Sequence, residues 1–532
     1  MRGADLLVRT LAEAGIGRIF SLSGNQIMPV YDACLEAGIE IVHTRHEAAA
    51  VFMADAWAQL TGDVGVALVT AAPGFANALG ALYTAAGSES PVLLLSGDAP
   101  VGRDGRGAFQ ALNQAAMSAP VTKLSLRATA ADRLGADVAR ALATAAAGRP
   151  GPVHVALPFD VVQAPVSAPV PPADEPALPS PPAADVAAIA DALGSARRPL
   201  IVTGPALNRT RAGRLLDRLT DSLGAPVIAM ESPRGLKDPS LGALAQVLAE
   251  ADLIVSLGKR IDFTIGFGAA EVCDPAGGWI VVDAEDGARR MAKANLDTRL
   301  TRLVEAEPRG MAEALLEATG PSAATDWRAK AAALIAARGA LPPEVSADGR
   351  ITSVGLCQAL QRQVAAAAAS VLICDGGEIG QWAQALVQGD ERLINGPAGA
   401  IGGALCYALA ACQARPDATV FVLMGDGTVG FHLAEFETAV RAGTPFVAVI
   451  GNDRRWNAEH QIQLRDYGAQ RLFGCELSDA RYDLAVAGLG GHGEFVTELA
   501  GLDAALARAV ASGKPACVNV AINGLPAPGG GH

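Results

Sequence analysis

Eight short, almost wholly apolar runs recur along this chain, and they constrain its fold more than any other feature. They are Val64 to Thr70, Val92 to Ser96, Leu200 to Thr203, Leu253 to Leu257, Ile280 to Asp283, Val371 to Cys374, Val420 to Met424 and Phe446 to Ile450. A strand with one face in water alternates apolar and polar residues, whereas a strand covered on both faces reads as a continuous run. Alanine-rich stretches of helical length lie between the runs, among them Glu47 to Leu60 and Leu433 to Ala442. The alternation predicts an α/β protein built of parallel sheets with helices on both faces. Ligands of such sheets bind beyond the carboxyl ends of the strands, so chemistry is expected there.

Two breaks divide the chain. Prolines crowd Ala164 to Ala184, and Leu341-Pro342-Pro343 lies in a second break near Gly320 to Gly349. Proline at this density favours an extended connection. A short helix, Asp326 to Arg338, is expected before those prolines. Three parallel-sheet α/β domains follow, at 1–165, 185–320 and 345–532, each of ordinary domain size.

Composition excludes several classes. A net charge of -13 opposes nucleic-acid binding, which needs a basic face. The eight cysteines form no CxxC pair, which argues against a zinc site or disulfide framework and for free thiols in a reducing cytoplasm. No apolar run reaches membrane-spanning length, and the charged segment Met1 to Thr10 lacks a signal-peptide core.

The strand-like run Val420 to Met424 ends in Gly425-Asp426-Gly427-Thr428, with a helix expected after Gly430. The next run, Phe446 to Ile450, ends in Gly451-Asn452-Asp453. Two acidic groups therefore sit at strand ends of one domain. Glycines let backbone amides approach a phosphate closely, and magnesium takes carboxylates together with phosphate oxygens. Taken alone, each would be an ordinary turn aspartate. Their pairing resembles the diphosphate-binding signature of thiamine-diphosphate-dependent enzymes, in which a GDG triplet precedes an NN pair. Here the 24 residues Thr428 to Gly451 separate Gly427 from Asn452.

The resemblance implies that Gly425, Gly427 and Thr428 bind the cofactor and that Asp426, Asp453 and the carbonyl of Arg455 hold Mg2+. Asp453 stands where the family usually has asparagine. The extra carboxylate strengthens metal binding and opposes the diphosphate charge. Arg454 and Arg455 either offset it or are exposed loop residues.

Two further segments resemble the family. Arg45-His46-Glu47 opens a helix as in the pyrimidine-binding domain, and Glu47 falls on the glutamate that bonds the aminopyrimidine ring and so activates the thiazolium carbon. Gly399-Ala400-Ile401-Gly402 falls where a bulky side chain, here Ile401, props the cofactor rings together, with the Gly399 carbonyl accepting from its amino group. Ile401 is also expected to be buried. Without the family, Glu47 is a helix-start acid and Ile401 a core side chain. Glu378 and Ile379 replace the glutamine–histidine pair of many acetolactate synthases. The three motifs occur in the family's domain order across the whole chain. The resemblance thus implies thiamine diphosphate and Mg2+ as cofactors, and a homodimer or homotetramer with active sites between subunits.

Within the family, Phe109-Gln110 resembles acetolactate synthases and benzaldehyde lyase, which makes Gln110 a catalytic and substrate-contacting glutamine. Asn25 and Gln26 fall on the first substrate loop. No adjacent histidine pair follows Val92 to Ser96, which favours transfer to a second carbonyl over release of an aldehyde. Pro239 to Gly242 runs almost directly into a helix from Ala243 to Ala251, without the family's flavin-contacting loop, which argues against FAD. The expected activity is therefore that of an acetolactate synthase-like lyase or carboligase. It would decarboxylate a 2-oxo acid, or act on a 2-hydroxy carbonyl compound, and pass the acyl carbanion to a second carbonyl. Gly430-Phe431-His432 and Leu257 to Phe263 resemble 2-hydroxyacyl-CoA lyases and oxalyl-CoA decarboxylases, which form the alternative. His432 and His460 either touch substrate or are structural, and a non-catalytic scaffold is the alternative outside enzymology.

Overall fold

The computed structural model describes residues 1–173, 178–319, 326–394 and 396–528. The apolar runs form the inner strands of three sheets, every pairing of which is parallel. The first sheet runs, edge to edge, Glu40–His43, Arg18–Ser21, Gly65–Val69, Val92–Asp98, Val153–Pro158, Leu124–Arg127. The second runs Leu300–Val304, Gly278–Val282, Leu253–Leu257, Pro199–Thr203, Val227–Ala229. The third runs Ile351–Thr352, Ala516–Asn523, Val447–Asn452, Thr419–Gly425, Ser370–Cys374, Glu391–Ile394, and His492–Val496 also pairs with Ala516–Asn523. The fold is therefore α/β with three parallel-sheet units.

The first and third sheets share one hydrophobic core. Helix Glu47–Thr61 packs against helix Ala404–Ala414, and alanines on both let the backbones approach. Phe52 meets Tyr407 edge-on at 5.9 Å, and a Cβ on Gly403 would come 3.1 Å from the Phe52 ring. The Tyr407 hydroxyl donates to the fully buried Asp55 at 2.6 Å. Burial raises the Asp55 carboxyl and raises Tyr407 well above its usual range. This arrangement fixes the start of the first helix, which carries Glu47, relative to the third sheet. Arg211 ties the middle unit to the first, donating to the carbonyls of Ser88 at 2.7 Å and Glu89 at 2.8 Å.

One local expectation changes. The helix expected after Gly430 begins at Asp426 and runs to His432, and the next spans Glu435–Ala442. Asp426 is thus itself the first helical residue. The first proline-rich break starts tied to the N-terminus: the amide of Gly3 donates to Ala164 at 2.9 Å and that of Val166 to Met1 at 2.8 Å. Residues 174–177 of that break, and 320–325 of the second, lie outside the described residues. Helix Asp326–Ala336 forms where a short helix is expected. Among the described residues, no helix is long and apolar enough to cross a membrane.

Candidate active site

Strands Thr419–Gly425 and Val447–Asn452 are neighbours, with Gly425 opposite Gly451. Asp426 and Asn452 therefore leave the sheet side by side, and Asp453 follows. Asp426 is buried, and its Oδ2 has no hydrogen-bond partner among the described residues. Burial pushes its carboxyl up to about 6, against opposition from the amides of Asp426, Gly427, Arg454 and Arg455. Asp453 is pushed up to about 7, first by burial and then by the Asp426 charge, while Arg455 opposes the shift. Two carboxylates thus share a confined space, and a divalent cation between them would relieve their repulsion.

A backbone carbonyl lies on the same edge as the two carboxylates. Arg455 forms an antiparallel bridge with Glu476. Its two bonds use the flanking groups, from the Leu477 amide to the Arg454 carbonyl at 2.7 Å and from the Trp456 amide to the Cys475 carbonyl at 2.8 Å. In that pairing the amide and carbonyl of Arg455 face away from Glu476. The amide reaches the Asp426 and Asp453 carboxylates, so the carbonyl lies along the same edge. Arg454 is exposed with φ 60, and Arg455 is half-buried.

Close backbone approaches complete this end of the sheet. A Cβ on Gly427 would come 2.6 Å from the Trp456 ring. Ile379, on helix Gly377–Leu386, lies against both strand ends, within 3.6 Å of a Cβ on Gly425 and 2.8 Å of one on Gly451. Neighbouring Glu378 is buried, which raises its carboxyl, while the Ala527 amide and Arg234 oppose the shift. Gly524 follows strand Ala516–Asn523, and a Cβ there would overlap the Asp453 carboxylate.

Asp375 is a residue that the motifs alone do not single out. It follows strand Ser370–Cys374 and is buried. Both its carboxylate oxygens accept from the Gly402 amide, at 2.9 and 3.0 Å, and Oδ1 accepts from the Gly376 amide at 2.8 Å. Thr428 also bonds it, and burial nonetheless pushes the carboxyl up to about 6. Asp375 therefore joins the Asp426 helix to the turn that carries Gly399 and Ile401. Gly399 and Gly402 both have left-handed backbones, at φ 67 and φ 83. Ile401, expected to be buried, is half-exposed and joins no packed cluster. Its neighbours are glycines and an alanine, which offer no side chains to bury it.

Glu47 opens helix Glu47–Thr61, capped by the His46 ring, which accepts from the Ala48 amide at 3.1 Å. Glu47 is buried, and its Oε2 accepts from Asn77 at 3.0 Å. A Cβ on Gly74 would come 3.2 Å from its Oε1. These contacts aim Glu47 at the following helix, Pro73–Gly87, of its own unit, whereas Phe52 on another face of the same helix meets the third unit. His46 itself reaches that third unit, meeting the His432 ring edge-on at 5.7 Å.

The substrate-loop residues do converge. Gln26 donates to Gln110 and accepts from Thr70 at 2.6 Å. Asn25, Gln26 and Phe109 line a cavity of about 430 Å3 beyond the carboxyl ends of the first sheet. Gln110 holds φ 58 and Ala72 φ 48, conformations that cost energy for residues with a Cβ and that concentrate at functional sites. His432 and His460 are both buried, each with an unpartnered Nδ1 among the described residues.

Comparison with known proteins comes to the same place. Residues 1–117 match the family model described as thiamine pyrophosphate enzyme, N-terminal TPP binding domain. Residues 375–520 match the corresponding C-terminal TPP binding domain. The chain is 34% identical to an acetolactate synthase large subunit of Mycobacterium tuberculosis, over 98% of this chain and 95% of that one. It is 31% identical to human 2-hydroxyacyl-CoA lyase 2, over 92% of this chain and 84% of that one.

Proposed function

The chain belongs to the thiamine pyrophosphate enzyme family, and from that premise we propose that it decarboxylates a 2-oxo acid and transfers the acyl carbanion to a second carbonyl. The same chemistry in reverse would cleave a 2-hydroxy carbonyl compound. When bound, thiamine diphosphate supplies a carbon that adds to the substrate carbonyl and takes up the electrons released. Asp426, Asp453 and the Arg455 carbonyl would hold Mg2+, which would neutralise the charge of the diphosphate. The observation that carries this is the buried, unpartnered Oδ2 of Asp426 beside a second raised carboxyl. Gly425, Gly427 and Thr428 shape the diphosphate cradle, and Ile379 and Glu378 cover its side. Ile401 props the cofactor, and Asp375 fixes the turn that carries it.

Glu47 would bond a ring nitrogen of the bound pyrimidine, and Asn77 orients its carboxyl. The contacts of Glu47 lie within its own unit, which supports a site completed by a second subunit, as a homodimer or homotetramer. Asn25, Gln26 and Gln110 form the substrate side. No acid or histidine lines their cavity among the described residues, so no protein group there competes with the second carbonyl for the carbanion. Eight free cysteines, seven of them buried, support a reducing, cytoplasmic setting.

The test is product analysis of enzyme reconstituted with thiamine diphosphate and Mg2+. With pyruvate, one carbon dioxide should appear per new carbon–carbon bond. Acetaldehyde as the only organic product would contradict carboligation. The second reading, cleavage of a 2-hydroxyacyl-CoA, rests on the likeness to 2-hydroxyacyl-CoA lyase 2. Lys259, in the segment that suggests it, is buried and bonded to Asp262 at 3.1 Å, so it is not placed to meet an external phosphate.

A further inference from the structure

The cavity beside Gln26 has a polarity that the transfer chemistry alone does not require. Its mouth is formed by loops after three strands of the first sheet, Arg18–Ser21, Val92–Asp98 and Val153–Pro158. Phe109 and Phe159 give it apolar surface, and Asn25 and Gln26 give it amides. Among the described residues, the only charged ones lining it are Arg103 and Arg106. Neither arginine has an ion-pair partner among the described residues, and both are exposed. The nearby carboxylates are already engaged. Asp98 and Asp104 both pair with Arg127, at 2.5 and 2.7 Å. Asp160 accepts from the amides of Val101 and Gly102 at 2.9 and 3.0 Å. Those two amides belong to the turn that carries Arg103, so Asp160 shapes the loop without neutralising either guanidinium.

A guanidinium binds carboxylate and phosphate oxygens through paired donors, and its charge is not lost at any working pH. A volume of about 430 Å3 holds a small carbonyl compound with several carbons beyond the reacting one. We propose that the cavity receives the far end of a carbonyl substrate, and that this end carries a second anionic group, carboxylate or phosphate, held by Arg103 and Arg106. Gln26 and Gln110 then face the reacting carbonyl, Phe109 and Phe159 flank the intervening carbons, and the arginines set the length selected. The inference rests on the reading of this cavity as the substrate side of a carbon–carbon ligase.

The experiment compares matched pairs on the holoenzyme. One pair is 2-oxoglutarate against 2-oxopentanoate as donor; the other is glyceraldehyde 3-phosphate against glyceraldehyde as acceptor. Wild type should favour the anion-tailed member of one pair in kcat/KM by ~10-fold or more, the usual scale of a charge-assisted hydrogen bond. A preference in the first pair identifies a carboxylate tail, and in the second a phosphate tail. The preference should collapse in Arg103→Gln/Arg106→Gln. No preference in either pair, or a preference that survives both substitutions, overturns the proposal. Should the double variant be inactive, calorimetric titration with unreactive glutarate and methylphosphonate decides. Loss of binding at unchanged melting temperature sustains the anion site, and retained binding overturns it. Wild type that binds one of these anions through the arginines but turns over none of the four substrates would leave the anion site standing and refute the ligase reading.

Discussion

Asp453 is the residue at which this chain departs most informatively from its family. Two raised carboxyls in one confined space repel each other when ionised, so metal and cofactor should bind together. Asp426→Ala removes an oxygen that nothing replaces and should abolish cofactor retention. Asp453→Asn keeps an amide oxygen and should weaken binding ~10-fold or less, about the scale of one altered metal contact. Titrating thiamine diphosphate at several Mg2+ concentrations separates the two, and equal damage from both substitutions would refute the ligand set. Gly524→Ala tests the same geometry from the opposite side. The new Cβ occupies the Asp453 carboxylate position, so the carboxylate must swing away. Cofactor affinity should fall while the melting temperature of the cofactor-free protein barely changes.

His154 provides a measurable pH effect of a different kind. Its ring lies on Phe75 at 4.7 Å and bonds Ser96 and Ser118, each at 2.8 Å. Burial lowers its pKa to about 3. The unfolded chain, with the imidazole near its ordinary value of about 6.5, therefore binds more protons between the two values. The native state should lose stability as pH falls from about 6.5 toward 3, by up to about 1.4 kcal/mol per pH unit from this group. Above pH 6.5 the group contributes no slope. His154→Gln should flatten the calorimetric melting profile between pH 6.5 and 5 by roughly one proton. An unchanged slope would show that the ring is protonated in the folded state.

At the level of elements, the continuous apolar runs identified most of the inner strands because those strands are covered on both faces. The edge strands Glu40–His43 and Glu391–Ile394, and the inner strand Arg18–Ser21, were harder to read, since each carries a charge that interrupts the pattern. The motif residues could be located because their spacing along the chain is itself the signal. Asn77, Gly74 and Gly524 could not, because each acts through a contact with a segment far away in sequence. Asp375 was partly legible: like Asp426, it is an aspartate followed by glycine at the end of an apolar run. What the sequence could not reveal is that its carboxylate pins the Gly402 amide, 27 residues onward.

The middle sheet carries a further expectation. Arg149 pairs with Glu89 and Asp283 at the carboxyl ends of its strands, and Glu89 also accepts from the Ala206 amide at 3.0 Å. A dinucleotide would bind at that crevice. The remaining space is about 200 Å3, below the range of about 300–1,000 Å3 typical of ligand pockets. The purified protein should therefore show no flavin absorbance near 450 nm, a region set by the isoalloxazine ring of the cofactor itself. A stoichiometric yellow chromophore that survives gel filtration would mean that the crevice opens.

For the whole molecule, the shared core of the first and third units fixes where Glu47 points. Phe52 and Tyr407 lock helix Glu47–Thr61 onto the third unit, while Glu47 turns toward Asn77 on another face. A second copy is thus needed to bring a diphosphate cradle to Glu47, and active enzyme should be at least dimeric in sedimentation. The role proposed for the Glu47 carboxyl is to activate the cofactor through the pyrimidine ring. The most direct test is hydrogen–deuterium exchange at the thiazolium carbon of bound thiamine diphosphate, followed by NMR in wild type and Glu47→Gln. The variant should fold and retain cofactor, with exchange slowed by ~100-fold or more, the scale of a lost acid–base group. Exchange as fast as in wild type, with cofactor bound, would contradict that role.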